Sequence, residues 1–172
     1  MSKLYVDNIA SKTGGTDAIA IDSNGVVTTP TRHCFWWSYS TGTGAAGLTG
    51  VIDWNVTLQQ SGGHTAGTDF TCPVAGLYQF NFNAFGGAAS SGGNVGGTTD
   101  PHLEVSTDGG SSYTTYAIGY TYAVSSDHPR SNICFATVLP ANAKVRIRVA
   151  GGHVFAANDQ NRQISFTGYL VG

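Results

Sequence analysis

From residue 70 to residue 84 the chain reads Phe-Thr-Cys-Pro-Val-Ala-Gly-Leu-Tyr-Gln-Phe-Asn-Phe-Asn-Ala, and the second half alternates. Tyr78, Phe80, Phe82 and Ala84 interleave with Gln79, Asn81 and Asn83. Successive side chains on a β-strand point to opposite faces, so this spacing predicts a strand with one aromatic, buried face and one polar face. Pro73 and Gly76 bracket its entry. Proline withholds a ladder donor and glycine permits a bend, so the pair predicts a rim turn feeding a core strand. This run of strand character covers residues 76–85, and others cover residues 34–39, 51–58, 102–106, 113–124, 132–139, 144–150 and 163–171, with turn-forming steps at 108–110, 140–142 and 151–152. None shows helical periodicity, and short strands at regular spacing predict a sandwich or barrel. On regular strands Trp36 and Trp37 face opposite ways, and Trp54, alternating with Val56 and Leu58, faces the core.

The order aromatic, Thr, small residue, Pro, two residues, Gly, Tyr-x-Phe over residues 70–80 resembles the signature of the C1q-like domain. Residues 164–171, Ile-Ser-Phe-Thr-Gly-Tyr-Leu-Val, are similar to that family's closing strand, where Ser-x-Phe-x-Gly precedes an aromatic and an aliphatic residue. The resemblance spans residues 31–172 and departs from the pattern in the glycine-rich stretch 86–100. It implies an all-β, C1q/TNF-like jelly-roll sandwich of about ten antiparallel strands. It also implies a head, residues 31–172, that assembles as a homotrimer.

Residues 1–30 differ from the rest. Apolar runs at 4–9 and 18–21 flank a loop-like segment at 11–16, and the Asn24-Gly25 step lets Val26, Val27 and Thr28 return as a second strand before Pro30. So small a hairpin buries no core of its own. Residues 18–30 resemble the short segments that precede globular heads in bacteriophage fibres and other virion appendages. That resemblance implies an attachment and trimerisation leader, anchored by Leu4, Tyr5, Val6, Ile9, Ile19 and Ile21, that is stabilised by intertwining three copies or by docking on a larger particle. The alternative is an N-terminal strand pair packed on its own domain.

A length of 172 residues suits one substantial core. With 24 glycines and 10% charged residues, the composition favours turns and strands over helices. A formal net charge of -2 gives no electrostatic case for binding nucleic acid. Lys144, Arg146 and Arg148 alternate with Val145, Ile147 and Val149, which reads as a solvated face or intersubunit pairing. Cys34, Cys72 and Cys134 lack C-x-x-C spacing and read as small buried hydrophobes. No apolar run reaches membrane-spanning length, and the first residues do not form an export segment. The expectation is a soluble protein made in a host cytoplasm, with no membrane insertion.

The chemistry is sparse. Residues 42–47 match G-x-G-x-x-G, but β-branched residues and glycine follow where a phosphate-binding helix would have to start. Five histidines show no ligand spacing, Glu104 is the single glutamate, and the aspartates sit mostly in turn contexts. These residues suggest no enzyme, no cofactor and no metal. The tryptophans and tyrosines read as core and interface residues. The expected function is that of a virion structural protein of a bacteriophage, a homotrimeric fibre or appendage that holds other virion proteins through its leader and reads a host-surface glycan. A standalone carbohydrate-binding module is the alternative. Receptor contacts fall on exposed connections: Gly86, Ser91, Asn94, Thr98 and Asp100 in one, Asn158, Asp159, Asn161 and Arg162 in the other.

Overall fold

In a computed structural model the residues described are 8–10, 17–21, 23–24, 27–28, 32–39, 46–48, 50–85, 97–123, 130–150, 155–157 and 164–171. Among them the chain forms strands and no helix: β1 (Asn8–Ala10), β2 (Asp17–Ile21), β3 (Val27–Thr28), β4 (Cys34–Ser38), β5 (Ala46–Leu48), β6 (Gly50–Val51), β7 (Val56–Ser61) and β8 (Phe70–Thr71). There follow β9 (Gly76–Phe85), β10 (Gly97–Ser106), β11 (Thr114–Ile118), β12 (Thr121–Ala123), β13 (Arg130–Leu139), β14 (Lys144–Ala150), β15 (Phe155–Ala157) and β16 (Ser165–Leu170). No helix of the described residues is long and apolar enough to cross a membrane.

Two antiparallel sheets carry the architecture. One has the order β13-β9-β16-β4-β7; the other runs β11-β10-β14-β6, with β12 added on β10 and β8 on β14. The alternation read from residues 78–84 is what lets β9 line the interior: Tyr78, Phe80, Phe82 and Ala84 are buried while Asn83 is exposed. Phe35 and Trp37 from β4 and Phe166 from β16 join them, facing Leu103 and Val105 of β10 and Val145, Ile147 and Val149 of β14. Phe35 stacks on Phe70 at 4.5 Å between ring centroids, and Trp54 on Phe166 at 5.9 Å. Gly168 lies opposite Phe35 on one side and Phe80 on the other. A Cβ there would come within 2.5 Å of the Phe35 ring and 2.7 Å of the Phe80 ring, so both rings close over a position that only glycine leaves free.

Strands β1, β2 and β3 form a separate antiparallel sheet, in which Ile9 pairs with Ile19 and Ile21 with Val27. Among the described residues no strand of the two main sheets is hydrogen-bonded to it. The remaining pair, β15 with β5, places residues 46–48, at the end of the G-x-G-x-x-G match, in a strand.

Several expectations need correction. The run at 51–58 is two strands, because residues 52–55 carry the chain from one sheet to the other; the Ile52 amide donates to the Ile147 carbonyl and the Trp54 amide to the Gly67 carbonyl. Trp54 is buried, but by this crossing and not by alternation, and Leu58 is exposed. The run at 113–124 breaks at Gly119, whose amide donates to the Pro101 carbonyl and where a Cβ would lie 2.7 Å from Ser131 Oγ. Residues 97–100, expected as loop, begin β10. Of the three cysteines only Cys72 is buried; Cys134 is exposed because it shares its parity with the outward face of β13.

Candidate functional site

The face of the five-stranded sheet turned away from the core is partly apolar. Val138 pairs with Leu77, and the Val171 amide donates to the Leu77 carbonyl, which gathers three exposed aliphatic side chains at one end. The next row runs Ala136, Gln79, Tyr169, Cys34, and the one after it Cys134, Asn81, Thr167, Trp36. Trp36 is 38% exposed although its neighbour Trp37 is buried, as expected for consecutive strand residues. The amides of this face are satisfied within it: Gln79 Nε2 donates to Asn81 Oδ1 at 3.3 Å and Asn81 Nδ2 to Thr167 Oγ1 at 3.4 Å. The apolar groups have no such cover, which is the character of a surface that another protein buries.

A second apolar patch lies elsewhere. Tyr116, Ile118 and Tyr120 are exposed along and just beyond β11, an edge strand, and Tyr116 stands edge-on to Phe135 of β13, the edge of the other sheet, at 6.1 Å. An edge offers unpaired backbone groups beside these side chains.

The outward face of the six-stranded sheet is charged. Glu104, almost fully buried, accepts from Arg146 Nε at 2.8 Å and Arg148 Nε at 2.6 Å. Arg146 lies over the Tyr113 ring at 3.4 Å, and the Tyr113 hydroxyl donates to Asp69 Oδ1 at 3.0 Å. Burial pushes the Glu104 carboxyl up, but the hydrogen bonds and charges of the two arginines outweigh it and hold the group below its ordinary value. Arg146 and Arg148 of this strand therefore pair with a carboxylate of their own sheet, a partner beyond the solvated face or intersubunit pairing expected from the alternation. Cys72 shows the opposite case, a thiol pushed up to about 12 by burial alone and so unreactive.

The residues expected to contact a receptor are distributed unevenly. Gly86, Ser91, Asn94, Asn158, Asp159, Asn161 and Arg162 lie outside the described residues. Thr98 and Asp100 fall within β10, and Asp100 Oδ1 is buried with no hydrogen-bond partner. Of the anchor residues, Leu4, Tyr5 and Val6 lie outside the described residues, Ile9 and Ile19 pair across β1 and β2, and Ile21 ends β2 with 40% of its surface exposed. The patches at Val138 and Tyr120 escaped sequence reading, since an apolar residue on a half-buried strand looks the same whichever face it occupies.

No protein-family model matches this chain, and no curated protein matches it. Solved structures do. The globular domain of zebrafish complement 1qA protein aligns with TM-score 0.57 and 18% identity over 81% of this chain and 98% of that one. Murine APRIL aligns with TM-score 0.60 and 9% identity over 81% and 99%, and Eiger TNF from S. frugiperda with 0.61 and 11% over 83% and 94%. The chain has the C1q/TNF jelly-roll fold. In this jelly roll the residues that carried the sequence resemblance prove to be packing residues. Phe70, Tyr78 and Phe80 meet in the core with ring centroids 6.0 Å apart in each pair, and Phe166 and Gly168 close it from β16.

Proposed function

We propose that the chain is a virion structural protein, a homotrimeric fibre or appendage of a bacteriophage whose jelly-roll head is held to the particle through residues 1–30. The observation that carries the assembly half is the presence of two dissimilar exposed apolar patches, Leu77, Val138 and Val171 on a sheet face and Tyr116, Ile118 and Tyr120 at a sheet edge. A ring closed by rotation needs two different surfaces on each subunit, each covering the other on the next copy, whereas a twofold dimer needs one. The attachment half is supported by the separate β1-β2-β3 sheet, to which among the described residues no strand of the main sheets is hydrogen-bonded, and by the exposed Ile21.

Light scattering after size exclusion tests assembly, with a mass of three chains expected; a monomer at micromolar concentration removes the trimer and leaves the jelly roll. Mass spectrometry of purified particles tests the virion role, with stoichiometric amounts expected. A protein absent from particles that instead binds a glycan array belongs to the carbohydrate-binding alternative.

A further inference from the structure

His33 and His64, 31 residues apart in the chain, meet at the end of the β4–β7 ladder, whose last pair is Cys34 with Ser61. His33 Nδ1 stands 3.2 Å from His64 Nε2, with ring centroids 5.3 Å apart. The turn holds this geometry in place. Gln60 Oε1 accepts from the Gly63 amide at 2.8 Å and the His64 amide at 3.0 Å, Trp37 Nε1 donates to the His64 carbonyl at 3.2 Å, and the His64 ring lies 4.8 Å from that of Phe70. Gly62, with φ +89°, lies close against the pair: a Cβ there would come 2.3 Å from His33 Nδ1 and 3.1 Å from His64 Nε2, so only glycine fits beside the two rings.

Two imidazole nitrogens bound to one tetrahedral zinc at about 2.0–2.1 Å stand roughly 3.3 Å apart. The observed separation of 3.2 Å matches that span. We propose that His33 Nδ1 and His64 Nε2 form a two-nitrogen chelate for a divalent transition cation of the zinc or copper class, with water completing its coordination. Without the cation the N–H of one imidazole donates a hydrogen bond to the other ring nitrogen. Among the described residues no group of three ligand-type side chains surrounds a metal position, so the site is an open chelate and not a closed structural centre. The spacing hid the pair from sequence reading, since only the fold brings positions 33 and 64 together.

Copper(II) heads the affinity order for nitrogen sites and is the probe of choice. Untagged, metal-stripped full-length chain is titrated with Cu2+ and followed by electron paramagnetic resonance, then challenged with Zn2+. The expected result is one saturable site per chain with coupling to two nitrogens, displaced by Zn2+. His33→Gln and His64→Gln should each weaken Cu2+ binding by about tenfold or more, the loss that removing even an outer-shell partner brings, with circular dichroism unchanged, while His102→Gln binds as the wild type does. If His64→Gln does not fold, His33→Gln at the start of β4 carries the test. Wild-type binding no tighter than that of His33→Gln, a two-nitrogen signal that survives in His33→Gln, or no binding at all overturns the site.

Discussion

Side-chain parity on β9 separates residues by one position into opposite environments. Phe80 is fully buried among Tyr78, Phe70 and Phe166, and Phe80→Ala should cost about 3–5 kcal/mol. Asn81 faces outward and is half-buried, so Asn81→Ala should cost less than about 1 kcal/mol in the isolated subunit. Denaturant melts of the two variants measure the difference directly, and equal losses would mean the parity is wrong. Gly168→Ala pushes a methyl group into two aromatic rings and should cost about 1–3 kcal/mol, seen as a lower melting temperature with unchanged secondary structure. Parity was legible at residues where polar and apolar types alternate. It was illegible at Cys134 and Val138, because small or aliphatic residues suit either face.

At the scale of elements, β9 and β14 appear with the bounds that their alternation implied, since an unbroken period of two leaves no other regular structure. Strands of two or three residues, such as β5, β6 and β8, carry too few positions to show a period. The pairing of β10 with β14 sets Glu104 beside Arg146, and the arginines hold the carboxylate below its ordinary value. Glu104 therefore stabilises the fold above the ordinary carboxylate value, about pH 4.3, and this contribution disappears as the pH falls through its lower folded value. Glu104→Gln should cost about 1–3 kcal/mol at pH 7, and urea melts of variant and wild type should converge as the pH is lowered below the ordinary carboxylate range. The leader forms its own sheet, so deleting residues 1–30 should leave the head's melting temperature intact while abolishing incorporation into particles. Incorporation of the truncated chain would refute the anchor. The Asn24-Gly25 turn made the β2–β3 hairpin legible, whereas β1 gave no signal of pairing with β2.

For the whole molecule, the two apolar patches predict how assembly fails. Val138→Glu on the sheet face, or Tyr120→Glu at the edge, places a charge on an exposed side chain with little to lose inside its own subunit. Each should turn a three-chain species into a monomer by light scattering while keeping the far-ultraviolet spectrum. A variant that stays trimeric shows that its patch lies outside the contact. The candidate site was less legible than the fold. Its surfaces depend on which residues are left over after the core closes, and on contacts such as His33 with His64 that only tertiary structure creates.

Strand β16 takes its place between β9 and β4, although more than half of the chain separates β4 from it. Until residues 165–170 leave the ribosome, β4 and β9 each present a row of open hydrogen-bonding groups beside Phe35, Phe80 and Phe82. A nascent chain is then a collection of sticky, half-made edges. Closure of the five-stranded sheet must follow synthesis of β16, and every contact that makes it is long-range and slow to find. In a cell making many copies, the time between the synthesis of β9 and the insertion of β16 is when neighbouring chains meet, so the step that completes the sheet also sets how much of the protein is lost to aggregation.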